Sequence, residues 1–315
     1  MARPQRFALL GHPVAHSVSP AMCMAAFQAL RLTHFYTAMD VPSVPNLRSV
    51  VDDLRSGLIA GANVTVPYKR SVLDLCDGLD QSAEEVGAAN VLVVDRKRRV
   101  IAHNTDAEAL TLTLGELLGS RPRMRAAVIG AGGAGMAAIA ACKRLGFSIV
   151  CVTSRSWTSM EAMFDAPSAE KARDLGALTA LWPGAASAAP STKTSQLLRL
   201  QWRELVSQAD CVIQATSAGM IGADPGESVC LIVPWDRLPR HALAYDVVYN
   251  PPVTPFLRVA SAQGLEAYGG LGMLVRQAEL AIRLWTGQTP PRDRMHEAAV
   301  SALEKLSRAA GGEGR

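Results

Sequence analysis

What the chain lacks narrows its class before any motif is read. None of its six cysteines, Cys23, Cys76, Cys142, Cys151, Cys211 and Cys230, forms a C-x-x-C pair. They sit mostly in apolar segments, which argues for free buried thiols in a reducing cytoplasm rather than a disulfide framework. There is no signal-like apolar opening, because Phe7 to Leu10 is followed at once by Gly11 and Pro13. The uncharged stretch Ala126 to Cys142 has 17 residues, short for a membrane span, and holds four glycines. Charge is nearly balanced, with a net +4. The basic run Arg96 to Arg99 has no interleaved aromatics, which excludes nucleic acid as the expected partner and fits a solvated hairpin tip. His12 and His16 have Pro13 between them and no third ligand in view, so no metal is expected. No internal repeat is present.

What is there is length and patterning. At 315 residues and 49% apolar content, the chain is comfortable for two domains with sizeable cores. Strand and helix patterns alternate. Phe7–Leu10 reads as strand, Pro20–Leu30 as helix, Phe35–Met39 as extended and Val44–Ser56 as helix. Gly61–Val66 reads as strand and Lys69–Cys76 as a short helix. Val91–Val94 and Val100–Ala102 flank the basic tip as a hairpin, and Asp106–Leu118 reads as a helix leaving this first series. A second series follows: strand Ala126–Ile129, helix Gly135–Leu145, strand Ser148–Thr153, then strands Cys211–Ala215 and Ala242–Val247. Such alternation predicts an α/β fold with helix-covered parallel sheets. Pro183 to Ser195 is small and polar and reads as a mobile surface loop. Leu274 to Leu306 is helical by periodicity, and Ala309 to Arg315 is expected to fray.

The second series opens on "AAVIGAGGAGMAA", with Gly130, Gly132 and Gly135 in the order G-x-G-x-x-G between an apolar strand and an alanine-rich helix. The first glycine permits a tight turn, the second lets backbone approach a pyrophosphate, and the third allows close helix–strand packing. Free N–H groups at the helix start then bind phosphate. The next strand ends "VTSRS" and carries no carboxylate for a ribose 2′-hydroxyl. Arg155, between Ser154 and Ser156, offers a planar cation suited to a 2′-phosphate, so NADP is the expected cofactor. "DCVIQATSAGM" is a buried strand ending in Thr216 and Ser217, a second wall for the same crevice.

In the first series, "GANVTVPYK" places Asn63 and Thr65 at period two, with Lys69 after Pro67; "GAAN" ends on Asn90 and "HNTDA" holds Asp106. Each has a plain explanation: an Asx-turn for Asn90, an N-cap for Asp106, a surface charge for Lys69. Taken in order, however, "HSVSP", "GANVTVPYK", "GAAN", "HNTDA", "GAGGAG", "ATSAGM", "YDVVYNPPVTP" and "GGLGMLVRQA" resemble the shikimate dehydrogenase family over about 270 residues. The resemblance implies reversible reduction of 3-dehydroshikimate to shikimate by NADPH, and two domains. Residues 1–107 with 274–315 would form an α/β substrate domain, to which the C-terminal helices return, and 108–273 a Rossmann-like NADP-binding domain, with the active site between the two. It implies that Ser17 and Ser19 hydrogen-bond the substrate carboxylate and that Tyr249 closes on the same group. Asn63, Thr65, Asn90 and Gln277 join the substrate-binding set, with Thr65, Asn90 and Gln277 gripping ring hydroxyls. Lys69 and Asp106 would flank the oxygen that changes between carbonyl and alcohol. The cofactor set implied is Gly130, Ala131, Gly132, Gly133, Ala134, Gly135, Ser154, Arg155, Ser156, Thr216, Val247, Gly270 and Met273.

Hydride addition to a ketone builds negative charge on oxygen, which an ammonium at Lys69 can stabilise and protonate, while Asp106 as an anion orients the lysine. The chain departs from the family in places. "S-R-S" stands for the usual "N-R-T", and Ser159 stands roughly where a further basic residue is often found, so a weaker NADP preference is expected. Val91 and Ala107 replace a usual threonine and glycine beside the substrate, and Trp157 to Leu200 is longer than usual. The alternatives are a quinate/shikimate dehydrogenase with dual substrate or cofactor use, an aminoshikimate-type relative, and a non-catalytic cofactor-sensing regulator on the same fold. Because Ser19 is intact, shikimate is favoured over quinate; because Lys69 and Asp106 are present, the regulator is disfavoured. A cytoplasmic monomer or homodimer acting on a small molecule, with no nucleic-acid or membrane partner, completes the expectation.

Overall fold

A computed structural model describes residues 3–184 and 193–312. In chain order the elements are β1 (Arg6–Gly11), α1 (Ser19–Ala29), β2 (Phe35–Asp40), α2 (Val44–Ser56), β3 (Gly61–Val64), β4 (Gly78–Leu79), α3 (Gln81–Val86), β5 (Val91–Val94), β6 (Val100–His103) and α4 (Asp106–Leu118). There follow β7 (Arg125–Ile129), α5 (Gly133–Arg144), β8 (Ile149–Thr153), α6 (Met160–Phe164), α7 (Pro167–Asp174), β9 (Leu178–Ala180), α8 (Lys193–Val206), β10 (Cys211–Gln214), α9 (Glu227–Leu231), β11 (Leu243–Asp246), α10 (Pro255–Ala262), β12 (Glu266–Gly269), α11 (Leu271–Thr286) and α12 (Arg292–Gly312). The chain divides into two compact units, Met1–Ala109 with Gly272–Arg315, and Leu110–Leu271. The C-terminal helices thus belong to the first unit.

The first unit is built on a six-stranded mixed sheet in the order β2-β1-β3-β5-β6-β4. β1 pairs in parallel with β2 and β3, and the β5–β6 hairpin runs antiparallel beside β3. The expected basic tip lies at its turn, where the Asp95 carboxylate accepts the N–H groups of Lys97 and Arg99. α2 starts on a Ser43 cap with Pro45 in its first turn and stops at Gly57, whose φ of +83° suits glycine. Its buried stripe, Leu47, Val50, Val51 and Leu54, packs into a cluster with Leu10, Val64 and Leu92. α11 docks through Trp285, which stacks on Phe7 at 4.8 Å and donates its indole N–H to the Leu92 carbonyl at 3.0 Å. α12 lies along α1 and buries Met295, Ala299 and Leu303 at helical spacing.

The second unit is a fully parallel sheet in the order β12-β11-β10-β7-β8-β9. Counted from β7 this is the doubly wound order 6-5-4-1-2-3, the Rossmann arrangement, whose ligand crevice opens where the order reverses, at the carboxyl ends of β7 and β10. Its inner strands β7, β8 and β10 are buried almost end to end, as a sheet covered on both faces requires. Trp202 on α8 is fully buried in this core and donates to the Ile232 carbonyl at 2.9 Å.

The secondary-structure expectations needed correction in five places. β3 stops at Val64, two residues early, because Pro67 follows. Lys69–Cys76 is not an α-helix but turns ending in one 3-10 turn at Leu73–Leu75, because the Lys69 carbonyl accepts the N–H of Ala89 at 2.7 Å instead of one four residues on. The helical stretch after Leu274 is two helices broken at Gly287 to Pro291. α8 begins at Lys193, inside the stretch expected as loop; the remainder of that loop, residues 185–192, lies outside the described residues. α12 reaches Gly312, beyond the expected fraying point, and residues 313–315 lie outside the described residues. Among the described residues, no helix is long and apolar enough to cross a membrane, and no group of three or more His, Cys, Asp or Glu side chains could hold a metal ion. All six cysteines are free, four of them buried.

Two outcomes are expected. A Cβ on Gly61 would lie 2.5 Å from the indole nitrogen of Trp285. Gly61→Ala should therefore cost about 1–3 kcal/mol in chemical denaturation. In the second unit, burial pushes the Asp246 carboxyl up from 3.8 to about 6, against the Thr254 hydroxyl and Val248 N–H that favour its charged form. Since folding raises this pKa, ionisation opposes the native state: the penalty is absent below 3.8, grows up to about pH 6 and is constant above. Relative to Asp246→Asn, the parent chain should lose about 2 kcal/mol of unfolding free energy between pH 4 and pH 7, read from urea titrations at the two pH values.

Candidate active site

In the first unit a set of polar side chains converges at the carboxyl ends of β1 and β3. Lys69 follows β3 through the turn pinned by the Ala89 N–H and by Tyr68, whose hydroxyl donates to the Val41 carbonyl at 2.6 Å. Its Nζ lies 2.5 Å from Asp106 Oδ2, with the lysine side chain 18% and the aspartate 3% exposed. The plain readings of these residues fail on geometry. α4 is capped not by Asp106 but by Asn104, whose Oδ1 accepts the N–H groups of Asp106 and Ala107 at 3.0 and 3.1 Å. Asn90 makes no local Asx-turn; its Oδ1 accepts the N–H of Thr105 at 2.7 Å. Lys69 is not a surface charge.

Asn90 is the hub. Its Nδ2 lies within 2.9 Å of Thr105 Oγ1 and of Asp106 Oδ1, and within 3.2 Å of Gln277 Oε1, 187 residues away on α11. Thr105 completes the link by donating its hydroxyl to the Gln277 carbonyl at 3.0 Å. Asn63 is tied in behind: its Nδ2 donates to the Asn90 carbonyl at 3.1 Å and its Oδ1 accepts the Tyr36 hydroxyl at 2.7 Å. Both polar atoms of Asn63 thus serve neighbours within the unit, which makes it a holder of Asn90. Thr65 follows β3, its N–H bonded to the Leu10 carbonyl at 2.8 Å. Gly11 has no room for a side chain, because a Cβ would sit 2.3 Å from the Thr65 methyl. That contact lets the Gly11–Val18 loop close down beside Thr65. Ser17 Oγ accepts the Ser19 N–H at 3.2 Å, a bond that occupies a lone pair and not its hydrogen, and Ser19 opens α1, buried.

Thr105, Asn104 and Tyr36 were not singled out from sequence. Thr105 and Asn104 stand inside "HNTDA", where only Asp106 carries an obvious charge. Tyr36 gives no signal in "FYTAMD", since its partner Asn63 is fixed by strand pairing through β1. Tyr249 belongs to the second unit and is half-buried, and Met273 sits buried on α11 in the first.

The second unit carries the glycine turn at its topological switch point. Gly130 has φ +112°, and a Cβ there would strike Thr216 Cγ2 and the Ala215 carbonyl at 2.8 and 2.9 Å, so the ends of β7 and β10 touch only because the position is glycine. A Cβ on Gly135 would stand 2.0 Å from the Gly130 carbonyl, which is the close helix–strand contact expected. Gly132 is exposed, and a Cβ there meets nothing, so the backbone opens onto free space at the N-terminus of the twelve-residue α5, beside Ala131, Gly133 and Ala134. An open cradle with outward N–H groups at a helix start fits a dinucleotide pyrophosphate. Ser154 and Ser156 approach each other at 3.1 Å beside the exposed Arg155, whose Nη1 lies 3.2 Å from Asp224 Oδ2. Gly270 packs on the Val247 carbonyl, where a Cβ would be 2.1 Å away.

Comparison with known proteins gives the family. Residues 9–92 match the model of the shikimate dehydrogenase substrate binding domain, and residues 270–300 that of the shikimate 5'-dehydrogenase C-terminal domain. The shikimate dehydrogenase (NADP(+)) of Methanopyrus kandleri is 34% identical over 296 residues, 94% of each chain. The crystal structure of shikimate 5-dehydrogenase from Thermus thermophilus in complex with NADP(H) and shikimate is 33% identical, with a TM-score of 0.74 over 95% of this chain and 99% of that one. The quinate dehydrogenase of Corynebacterium glutamicum in complex with NAD is 26% identical, with a TM-score of 0.75 over 95% of this chain and all of the other. With more than nine-tenths of its length aligned to such relatives at a third identity, the chain belongs to the shikimate/quinate dehydrogenase family.

Proposed function

We propose that the protein catalyses the reversible, NADP(H)-dependent reduction of 3-dehydroshikimate to shikimate. The observation that carries this reading is the Lys69–Asp106 pair, 2.5 Å apart and joined through Asn90 to Gln277. Reduction of a ring ketone places negative charge on its oxygen. Lys69 Nζ offers an ammonium to that oxygen and a proton to it as the alcohol forms; in the reverse direction the same nitrogen takes the proton. Asp106 fixes the direction of the ammonium, and because its second oxygen is held by Asn90, the carboxylate itself cannot swing. Asn90, Gln277 and Thr65 supply amide and hydroxyl groups for ring hydroxyls. Ser17 and Ser19 supply hydroxyls for the substrate carboxylate, with Tyr249 assigned to the same group.

NADPH, when bound, supplies the hydride. The residues that would hold it are Gly130 to Gly135 with the start of α5 for the pyrophosphate, and Arg155 with Ser154 and Ser156 for the 2′-phosphate. Thr216, Val247, Gly270 and Met273 complete the set. The proposal includes a cytoplasmic setting, in keeping with six free cysteines, and a monomer or homodimer working without nucleic acid or membrane.

Purified protein mixed with shikimate or quinate and with NADP+ or NAD+, followed at the nicotinamide absorbance band, should show shikimate-dependent reduction of NADP+. Turnover of quinate alone would move the substrate assignment, and reduction of neither cofactor by either polyol would leave a sensor on the same fold. Lys69→Ala should lower kcat by roughly 10²-fold or more with a modest change in KM. An unchanged kcat removes Lys69 from the chemistry.

A further inference from the structure

The end of β8 carries no carboxylate in sequence, yet the fold brings one there. Asp224 lies on the loop between β10 and α9, and β8 and β10 flank β7 on either side. Its Oδ2 reaches Arg155 Nη1 at 3.2 Å, across the carboxyl end of the strand that leads into the glycine turn. The aspartate is held in place by two backbone N–H groups. Its Oδ1 accepts the Gly226 N–H at 2.8 Å, and its own carbonyl accepts the Gly219 N–H at 2.7 Å. Gly219, Gly222 and Gly226 all take positive φ, and a Cβ on Gly226 would sit 3.1 Å from the Gly219 nitrogen, so the loop closes tightly on itself. The backbone that carries Arg155 is anchored in turn: the Ser154 carbonyl accepts the Trp157 N–H, and the Thr153 carbonyl accepts the Gly130 N–H at 2.8 Å, tying this strand end to the glycine turn.

We propose that Asp224 is a cofactor-specificity residue, which tempers the preference of Arg155 for a 2′-phosphate and lets the site also accept a dinucleotide with a free 2′-hydroxyl. Two physical effects act in the same direction. A fixed carboxylate one hydrogen bond from the guanidinium repels a phosphate dianion brought to that guanidinium, and it already occupies one of the nitrogens a bidentate phosphate contact would use. The same carboxylate is an acceptor for a ribose 2′-hydroxyl, the group that NAD-preferring strands provide at their own ends. Both side chains are about two-fifths exposed, so the pair contributes little to stability and can be altered without loss of fold.

The inference rests on the nucleotide-binding part of the proposed function and is tested without turnover. Dissociation constants for NADP+ and NAD+ are measured by titration calorimetry at low ionic strength, on the whole chain and on Asp224→Asn, which keeps an Oδ1 for the Gly226 N–H. The variant should bind NADP+ relative to NAD+ roughly 5- to 10-fold better than the parent, through both tighter NADP+ and weaker NAD+. In an Arg155→Gln background the gain in NADP+ affinity should shrink, because no guanidinium is left to be released, while the loss of NAD+ affinity should persist. An unchanged ratio, with both affinities falling together, would assign Asp224 to loop structure alone and overturn the proposal, as would a falling ratio. Failure of the parent chain to bind either dinucleotide would instead remove the nucleotide site itself.

Discussion

The proposed chemistry depends on keeping an ammonium and a carboxylate together where water is scarce. Lys69 and Asp106 lie 2.5 Å apart with the aspartate almost wholly buried. Taking both charges from water is costly, and their attraction offsets that cost only if the remaining lone pairs are also satisfied. Asn90 meets the second Asp106 oxygen, Thr105 and Asn63 hold Asn90, and Gln277 arrives from α11 to close the set. The members come from β3, the turn after it, the approach to β5, the start of α4 and α11, so the network requires the first unit to be folded as a whole, including the return of the C-terminal helices.

In the second unit the governing constraint is steric rather than electrostatic. Gly130 and Gly135 are places where backbone meets backbone or a neighbouring strand end at distances that exclude a Cβ, while Gly132 faces open space. The same three letters in one motif thus do two kinds of work. Two glycines bring the strand, turn and helix together, and one leaves a surface that a pyrophosphate can approach. The end of β8 is governed differently, by the charge balance between Arg155 there and Asp224 on the loop after β10.

Local chemistry alone points the wrong way at two positions. Asp106 stands where an N-cap belongs, yet Asn104 caps α4 and so releases the Asp106 carboxylate for Lys69. Lys69 to Cys76 has helical composition, yet the Lys69 carbonyl is claimed by Ala89, a neighbour brought up by β5, and the backbone turns instead. In the first case a side chain two residues upstream takes the cap, and in the second a long-range partner displaces the local one.

The amino-acid order by itself determined the alternation of strands and helices, the glycine turn with its helix, and the basic tip of the β5–β6 hairpin, because these follow from short-range periodicity and backbone sterics. It also determined, through eight motifs in order, the family. Only the tertiary structure decided that Asn90 is the hub, that Asn63 works through Tyr36 and Asn90, that Thr105 belongs to the site, and that Asp224 stands beside Arg155. These contacts join residues from 15 to 187 positions apart. Their distances are set by sheet order and helix docking, which arise only once the whole of each unit has condensed around its core.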